Sequence, residues 1–219
     1  ALKRVILPQS VTFVASNAFR NCTALERIDL RSRAITFGDS CFSGCTSLKY
    51  INNLVVTDAS VDTKVANILD LDKSQYKYTS PQIGTLGASA FYGCTSLESV
   101  DLTELRVCGD STFAGCTLLK EITVSSHTVF SYYMFEECSS LTTINFTDTD
   151  KFDLGGARLV FAGCNVFELN FKNGASGIYY LNPDDGCYYT DSTLKTLVFV
   201  PQNKKSYTAP ASLEVIAAG

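Results

Sequence analysis

The chain has 219 residues, of which 46% are hydrophobic and 18% charged, and its formal charge is −4. An acidic balance with no basic run beyond Lys204-Lys205 excludes a binder of phosphate backbones, which are held by clustered Lys and Arg. No segment approaches the ~20 apolar residues of a membrane-spanning helix, and the opening ALKRVILPQS lacks the apolar stretch of a secretory leader.

Leu2, Val5 and Leu7 open the chain with the second half of a phrase that then recurs whole. AFRNCTALERIDL begins at Ala18, CFSGCTSLKYINNL at Cys41, AFYGCTSLESVDL at Ala90, TFAGCTLLKEITV at Thr112 and MFEECSSLTTINF at Met134. Counted from the Phe, Cys falls at +3, Leu at +6, Ile or Val at +9 and usually an apolar residue at +11. The Phe positions are Phe19, Phe42, Phe91, Phe113 and Phe135, so several steps are 22 or 23 residues long. A fixed period of that length predicts a leucine-rich-repeat solenoid in which each rung stacks on the last. The expected fold is mainly β and right-handed, with a parallel sheet on the concave face and short helical turns on the other side. Ile28-Asp29-Leu30, Val100-Asp101-Leu102 and Ile144-Asn145-Phe146 alternate as half-buried strands do, and parallel stacking pairs their backbones between rungs. The Ala-Phe-x-x-Cys segment reads as a short helical turn. Gly44, Gly93, Gly115 and Gly163 at +2 permit its reversal, and the +3 thiol is placed to donate weakly to carbonyls of that turn.

The step from Phe42 to Phe91 is 49 residues. Within it, residues 55–81 read as a degenerate rung or as an insertion, ending in the loop-like KSQYKYTSPQ. Steps of 26 and 27 residues around Phe161 predict longer loops at Thr147–Gly156 and Lys172–Gly186. VFAGCNVFELNF, from Val160, is a worn copy with one residue missing before Phe171. Tyr188 then stands for the Phe and Asp191 for the Cys, with Leu194, Leu197 and Phe199 completing another worn copy, and Leu213 and Ile216 echo it again. The expectation is a single elongated domain over residues 1–219, of about eight rungs, as a piece of a longer protein.

Nine cysteines invite a disulfide framework, but their positions oppose it. Cys22, Cys45, Cys94, Cys116, Cys138 and Cys164 occupy +3. Cys41 and Cys187 occupy −1, where other copies carry Ala18, Ala90 and Val160. Cys108 sits at −5, with Val14, Phe37, Leu86 and Phe130. Such residues read as small buried hydrophobes. Stacked positions lie ~4.8 Å apart, whereas a disulfide wants Cβ atoms ~3.8 Å apart, so free thiols are expected.

His127 is the only histidine, and no G-x-S-x-G elbow accompanies it. One His and rung-locked Cys offer no zinc set. Asp148, Asp150 and Asp153, like Asp70 and Asp72, lack the glycine and terminal glutamate of a calcium loop and read as turns. No cofactor, metal or enzymatic activity is expected. Asn21 and Asn145 begin glycosylation sequons. The candidate binding residues are those that strand alternation places outward: Arg27, Asp29, Tyr50, Asn52, Ser99, Asp101, Glu121, Thr123, Thr143 and Asn145. The paired tyrosines Tyr132-Tyr133, Tyr179-Tyr180 and Tyr188-Tyr189 form a second candidate patch.

The phrase AF-x-x-C-x-x-L-x-x-I-x-L, followed by Pro in Val5-Ile6-Leu7-Pro8 and Phe199-Val200-Pro201, resembles the BspA-like (Treponema pallidum type) leucine-rich repeats. The resemblance implies a cell-surface or secreted protein and an adhesion module whose partner is a host or cell-surface protein or a glycan. Its alternative is a structural spacer that displays another domain away from the cell. The family brings no shared catalytic motif, and no site residue is carried over from it.

Overall fold

In the computed structural model the described residues are 1–31, 35–56, 76–79, 83–148, 157–166, 168–171, 180–200 and 204–216. The predicted strands form parallel ladders one rung apart. β1 (Arg4–Leu7), β3 (Arg27–Leu30) and β5 (Tyr50–Val56) make one, pairing Val5 with Ile28 and Ile28 with Ile51. β8 (Ser99–Asp101), β10 (Glu121–Val124), β11 (Thr143–Phe146) and β12 (Glu168–Asn170) make another, pairing Val100, Ile122, Ile144 and Leu169 in turn. These +9 residues are buried, as alternation requires.

A second ladder was not read from the sequence. β2 (Phe13–Val14), β4 (Ile35–Phe37), β7 (Ile83–Leu86) and β9 (Val107–Cys108) pair in parallel and carry the apolar −5 column. The rungs of Phe19, Phe42, Phe91 and Phe113 therefore have two strands each. The core between them is a column of rings: Phe19 stacks on Phe42 with centroids 5.1 Å apart, Phe42 on Phe91 at 5.4 Å, Phe91 on Phe113 at 5.4 Å, Phe113 on Phe135 at 5.5 Å and Phe135 on Phe161 at 5.6 Å. Phe37 meets Phe42 and Phe91 edge-on, and Phe146 stacks on Phe171 in a further column.

The expected helical turn is absent among the described residues, which contain strands and turns only. In its place each rung has a left-handed residue at −2 (Asn17, Ser40, Ser89, Ser111, Tyr133, Leu159) and another at +2 (Asn21, Gly44, Gly93, Gly115, Glu137, Gly163). Two such residues in one segment rule out a helix and turn alternate amides along the stack. Phe19 N–H donates to Cys41 O, Phe42 N–H to Ala90 O, Phe91 N–H to Thr112 O and Phe113 N–H to Met134 O, all between 2.8 and 2.9 Å. The turn is thus a third hydrogen-bonded ladder, its alternate amides satisfied between rungs and the others within the turn, as Ala18 N–H is by Ala15 O.

All nine cysteines are free. Five of the six +3 thiols do donate to carbonyls, but to the preceding rung and not within their own turn. Cys45 Sγ reaches Phe19 O at 3.2 Å, Cys94 reaches Phe42 O at 3.3 Å, Cys116 reaches Phe91 O at 3.3 Å, Cys138 reaches Phe113 O at 3.1 Å and Cys164 reaches Phe135 O at 3.0 Å. Cysteine suits +3 because it is small, apolar and still able to donate.

Direct stacking of Phe42 on Phe91, with β4 paired to β7, puts the rungs on either side of the 49-residue step in contact. β5 runs past its rung, and Asn53–Val56 pair antiparallel with β6 (Tyr76–Thr79). The rest of 55–81, like most of the Thr147–Gly156 and Lys172–Gly186 loops, lies outside the described residues.

At the C-terminal end the reading of Tyr188 as a replaced Phe is corrected. Tyr188 lies in a strand and not a turn: β13 (Tyr180–Leu181), β14 (Tyr188–Tyr189) and β15 (Thr196–Phe199) are antiparallel neighbours. Tyr188 belongs to the main core, whereas Tyr189 packs with Cys187 and Leu197 in a separate small core. Only the second half of the phrase persists there, as β15 pairs in parallel with β16 (Val215–Ile216), Leu197 opposite Ile216.

Candidate functional site

The outward strand positions form columns in the register the alternation predicts. Arg4, Arg27 and Tyr50 stand side by side, as do Ser99, Glu121, Thr143 and Glu168. One pleat along, Ile6, Asp29 and Asn52 align, and Asp101, Thr123, Asn145 and Asn170 align. Arg4, Glu168 and Asn170 were missed as candidates. Arg4 has the same offset in the opening half-phrase as Arg27, and allowing for the missing residue before Phe171 would have found the other two.

The columns are not uniformly available. Asp29 is 0% exposed, with Arg4 Nε at 2.5 Å from Oδ2 and Arg27 Nε at 2.7 Å from Oδ1. A carboxylate out of water needs such partners, so Asp29 fixes the two guanidinium groups on the face and presents no atom of its own. Tyr50 is 51% exposed, and Ser99 and Glu121, paired with each other in the other ladder, are exposed as well. Asp101 Oδ1 accepts from Thr103 N at 3.0 Å and Thr103 Oγ1 at 2.8 Å, which caps the turn after β8. Farther along, Asn170 Nδ2 donates to Asn145 Oδ1 at 2.9 Å, Asn145 Nδ2 donates to Glu121 Oε2 at 3.3 Å, and Thr143 Oγ1 donates to Glu168 Oε2 at 3.2 Å. These links orient the polar groups across rungs. They also occupy the Asn145 amide that its sequon would modify.

Beyond the ends of β8, β10 and β11 the loops enclose an open trough of about 480 Å³, lined by Asp101, Thr103, Glu104, Arg106, Ser125, His127, Thr147 and Asp148. Ser126, His127 and Asp148 meet at its edge. Their geometry is not that of a hydrolytic triad: Ser126 Oγ lies 3.3 Å from His127 Nδ1 and 3.1 Å from Asp148 Oδ2, and Asp148 lies 4.0 Å from the same Nδ1. A triad places nucleophile and carboxylate on opposite ring nitrogens. Asp148 Oδ1 accepts from Ser126 N at 2.7 Å, so these groups pin one loop to the next. No group of three or more His, Cys, Asp or Glu able to hold a metal occurs among the described residues.

Several of the thiols are held protonated. Burial pushes Cys41 up to about 12 and Cys45 up to about 11, and it raises Cys94 as well. Cys138 is raised first by its neighbour Cys116 and Cys164 first by Cys138, with burial adding to each. A thiol held protonated is unreactive. The tyrosine pairs divide. Tyr132 and Tyr133 are exposed, Tyr188 and Tyr189 are buried, and Tyr179 lies outside the described residues. Tyr189 donates to Asp185 Oδ2 at 2.6 Å and shares a 3.0 Å contact with the Tyr207 hydroxyl, so that pair is structural.

A family model described as the BspA type leucine rich repeat region matches residues 1–58 and 73–166 in six copies. No curated protein matches the chain. Among solved structures, a leucine rich cell surface protein of Faecalibacterium prausnitzii is similar with a TM-score of 0.55 at 17% identity, over 96% of this chain and 58% of its own. A leucine rich repeat protein of T. pallidum has a TM-score of 0.39 at 23% identity, over 70% of this chain and 76% of its own. One from Bacteroides ovatus has a TM-score of 0.36 at 23% identity, over 77% of this chain and 55% of its own. The chain thus spans 58% of the F. prausnitzii structure, whose likeness bears on the fold alone.

Proposed function

The chain belongs to the BspA-type leucine-rich-repeat family, and on that premise we propose that it is a non-enzymatic binding module whose outer strand face holds a protein or glycan at a cell surface. The observation that carries this reading is the pair of register-matched polar columns, Arg27–Tyr50 and Ser99–Glu121–Thr143–Glu168, presented on a backbone fixed by three hydrogen-bonded ladders. Rigid presentation lowers the ordering cost of binding. Exposed Tyr50 beside Arg27 supplies residue types that anchor contacts. Membership of a repeat family, with no catalytic constellation among the described residues, supports holding over transforming. A surface or secreted location is in keeping with the F. prausnitzii relative in fold, a leucine rich cell surface protein, and no helix among the described residues is long and apolar enough to cross a membrane.

The test is adsorption to arrays of extracellular-matrix proteins and of glycans. The wild type is compared with a face variant (Tyr50→Ser, Glu121→Lys, Thr123→Lys) and with a turn-side control (Tyr92→Ser). The face variant should lose capture with its melting curve unchanged, and the control should keep it. Equal capture by all three would overturn the assignment of the face. No capture by the wild type would favour the spacer role.

A further inference from the structure

The outer strand face carries an ordered series of charges along the stack. Just before the strands, the +7 positions run Lys3, Glu26, Lys49, then Glu98 and Lys120, alternating in charge. Within the chain, Lys3 Nζ lies 3.3 Å from Glu26 and Lys120 Nζ lies 3.5 Å from Glu98, so these exposed side chains lie along the column. At +8 the basic Arg27 falls before the centre of the series and the acidic Glu121 after it, with uncharged Tyr50 and Ser99 between.

That order is its own complement. A half-turn about an axis parallel to the strands, passing between β5 and β8, reverses the stack and keeps each offset opposite itself. It lays Lys49 over Glu98, Glu26 over Lys120 and Arg27 over Glu121, and each contact occurs twice. The axis falls at the break in the outer strand face: no pairing joins β5 to β8 among the described residues, and β6 pairs with Asn53–Val56, past the Tyr50–Asn52 part of β5. We propose that two copies of this chain dock through their outer strand faces, antiparallel and related by this two-fold axis. The contact is isologous, as in most homodimers. Opposite charges fix its register and steer the encounter. The inference stands apart from capture of a foreign partner: its failure leaves that reading intact, and a homotypic contact is one route by which such a face joins surfaces.

Purified protein is followed by sedimentation equilibrium at about 50 mM and about 500 mM salt, which shortens the screening length from roughly 14 Å to roughly 4 Å. A dimer is expected at low salt, with its dissociation constant rising at least about tenfold at high salt. Lys49→Glu alone and Glu98→Lys alone should each give monomers under both conditions, and their equimolar mixture should recover the dimer. Both residues are exposed, so matching thermal melts establish that the folds are intact. A wild type monomeric at low salt, or a dimer indifferent to both substitutions, would overturn the proposal. So would a mixture that stays monomeric.

Discussion

Replacing Phe113 by Ala measures how far the ring column holds the stack together. The ring is 0% exposed and lies between Phe91 at 5.4 Å and Phe135 at 5.5 Å, nearly parallel to both. Returning a phenylalanine to water forfeits roughly 1.5–3 kcal/mol, and an unfilled cavity adds to that. Collapse is resisted here because the neighbouring rungs are held apart by backbone bonds on both sides, Phe91 N–H to Thr112 O and Phe113 N–H to Met134 O. The loss should therefore fall in the upper part of the range for Phe→Ala, about 4–5 kcal/mol. Phe19 is the internal control. Its ring is half-buried and, among the described residues, stacks on Phe42 alone, so Phe19→Ala should cost only about 1–2 kcal/mol. Urea unfolding followed by circular dichroism reads both. Equal losses at the two positions, or a loss below about 2 kcal/mol for Phe113→Ala, would refute the assignment of the column as the core.

Substituting Arg4→Gln and Arg27→Gln together leaves the Asp29 carboxylate buried without a counter-charge and should cost about 3–5 kcal/mol in urea unfolding. Asp29→Asn should cost less, about 1–3 kcal/mol, because the arginines it frees are near one-third exposed and water can reach them. Tyr133 is left-handed at φ 58° and exposed. Tyr133→Asn should raise stability by roughly 1 kcal/mol, since Asn tolerates that backbone, and an unchanged or lower melting temperature would count against strain there. The raised thiols make an alkaline prediction. The folded pKa of Cys41 is about 12, against an ordinary 9.0, so the folded state holds its proton longer than the unfolded one. That contribution is full below pH 9 and is lost as pH climbs from 9 towards 12. Melting temperature should fall across that window, and fall less steeply in Cys41→Ala, which installs the residue that Ala18 and Ala90 supply elsewhere. An identical slope in the variant would exclude Cys41 as a source.

The repeat phrase carried the ring column, the +3 thiols and the register of the outer columns, because a period repeated five times fixes which offsets face inward. The second ladder was legible only as an apolar −5 column. Strands of two to four residues, such as Phe13–Val14 and Val107–Cys108, are too short for alternation to register. The turn was mistaken for helical because Ala-Phe-x-x-Cys has helical spacing. The signal against it was the −2 column of Asn17, Ser40, Ser89 and Ser111, residue types that accept left-handed backbone or bond to it locally. Tyr188 misled because aromatic identity alone was matched to the Phe, while the chain around it had become an antiparallel hairpin. Asp29 counted as an outward contact on alternation alone. Its burial depends on Arg4, a rung away, which no local pattern reveals.

Carboxyl footprinting with a water-soluble carbodiimide tests the claim that the outer strand face carries the contact. The protein is labelled free and then in complex with whichever array component it captures. Labelling of Glu121 and Glu168 should fall on capture, while that of Asp39 and Asp110, on the turn side, should stay unchanged. Protection of Asp39 and Asp110 with Glu121 and Glu168 unaffected would contradict the account.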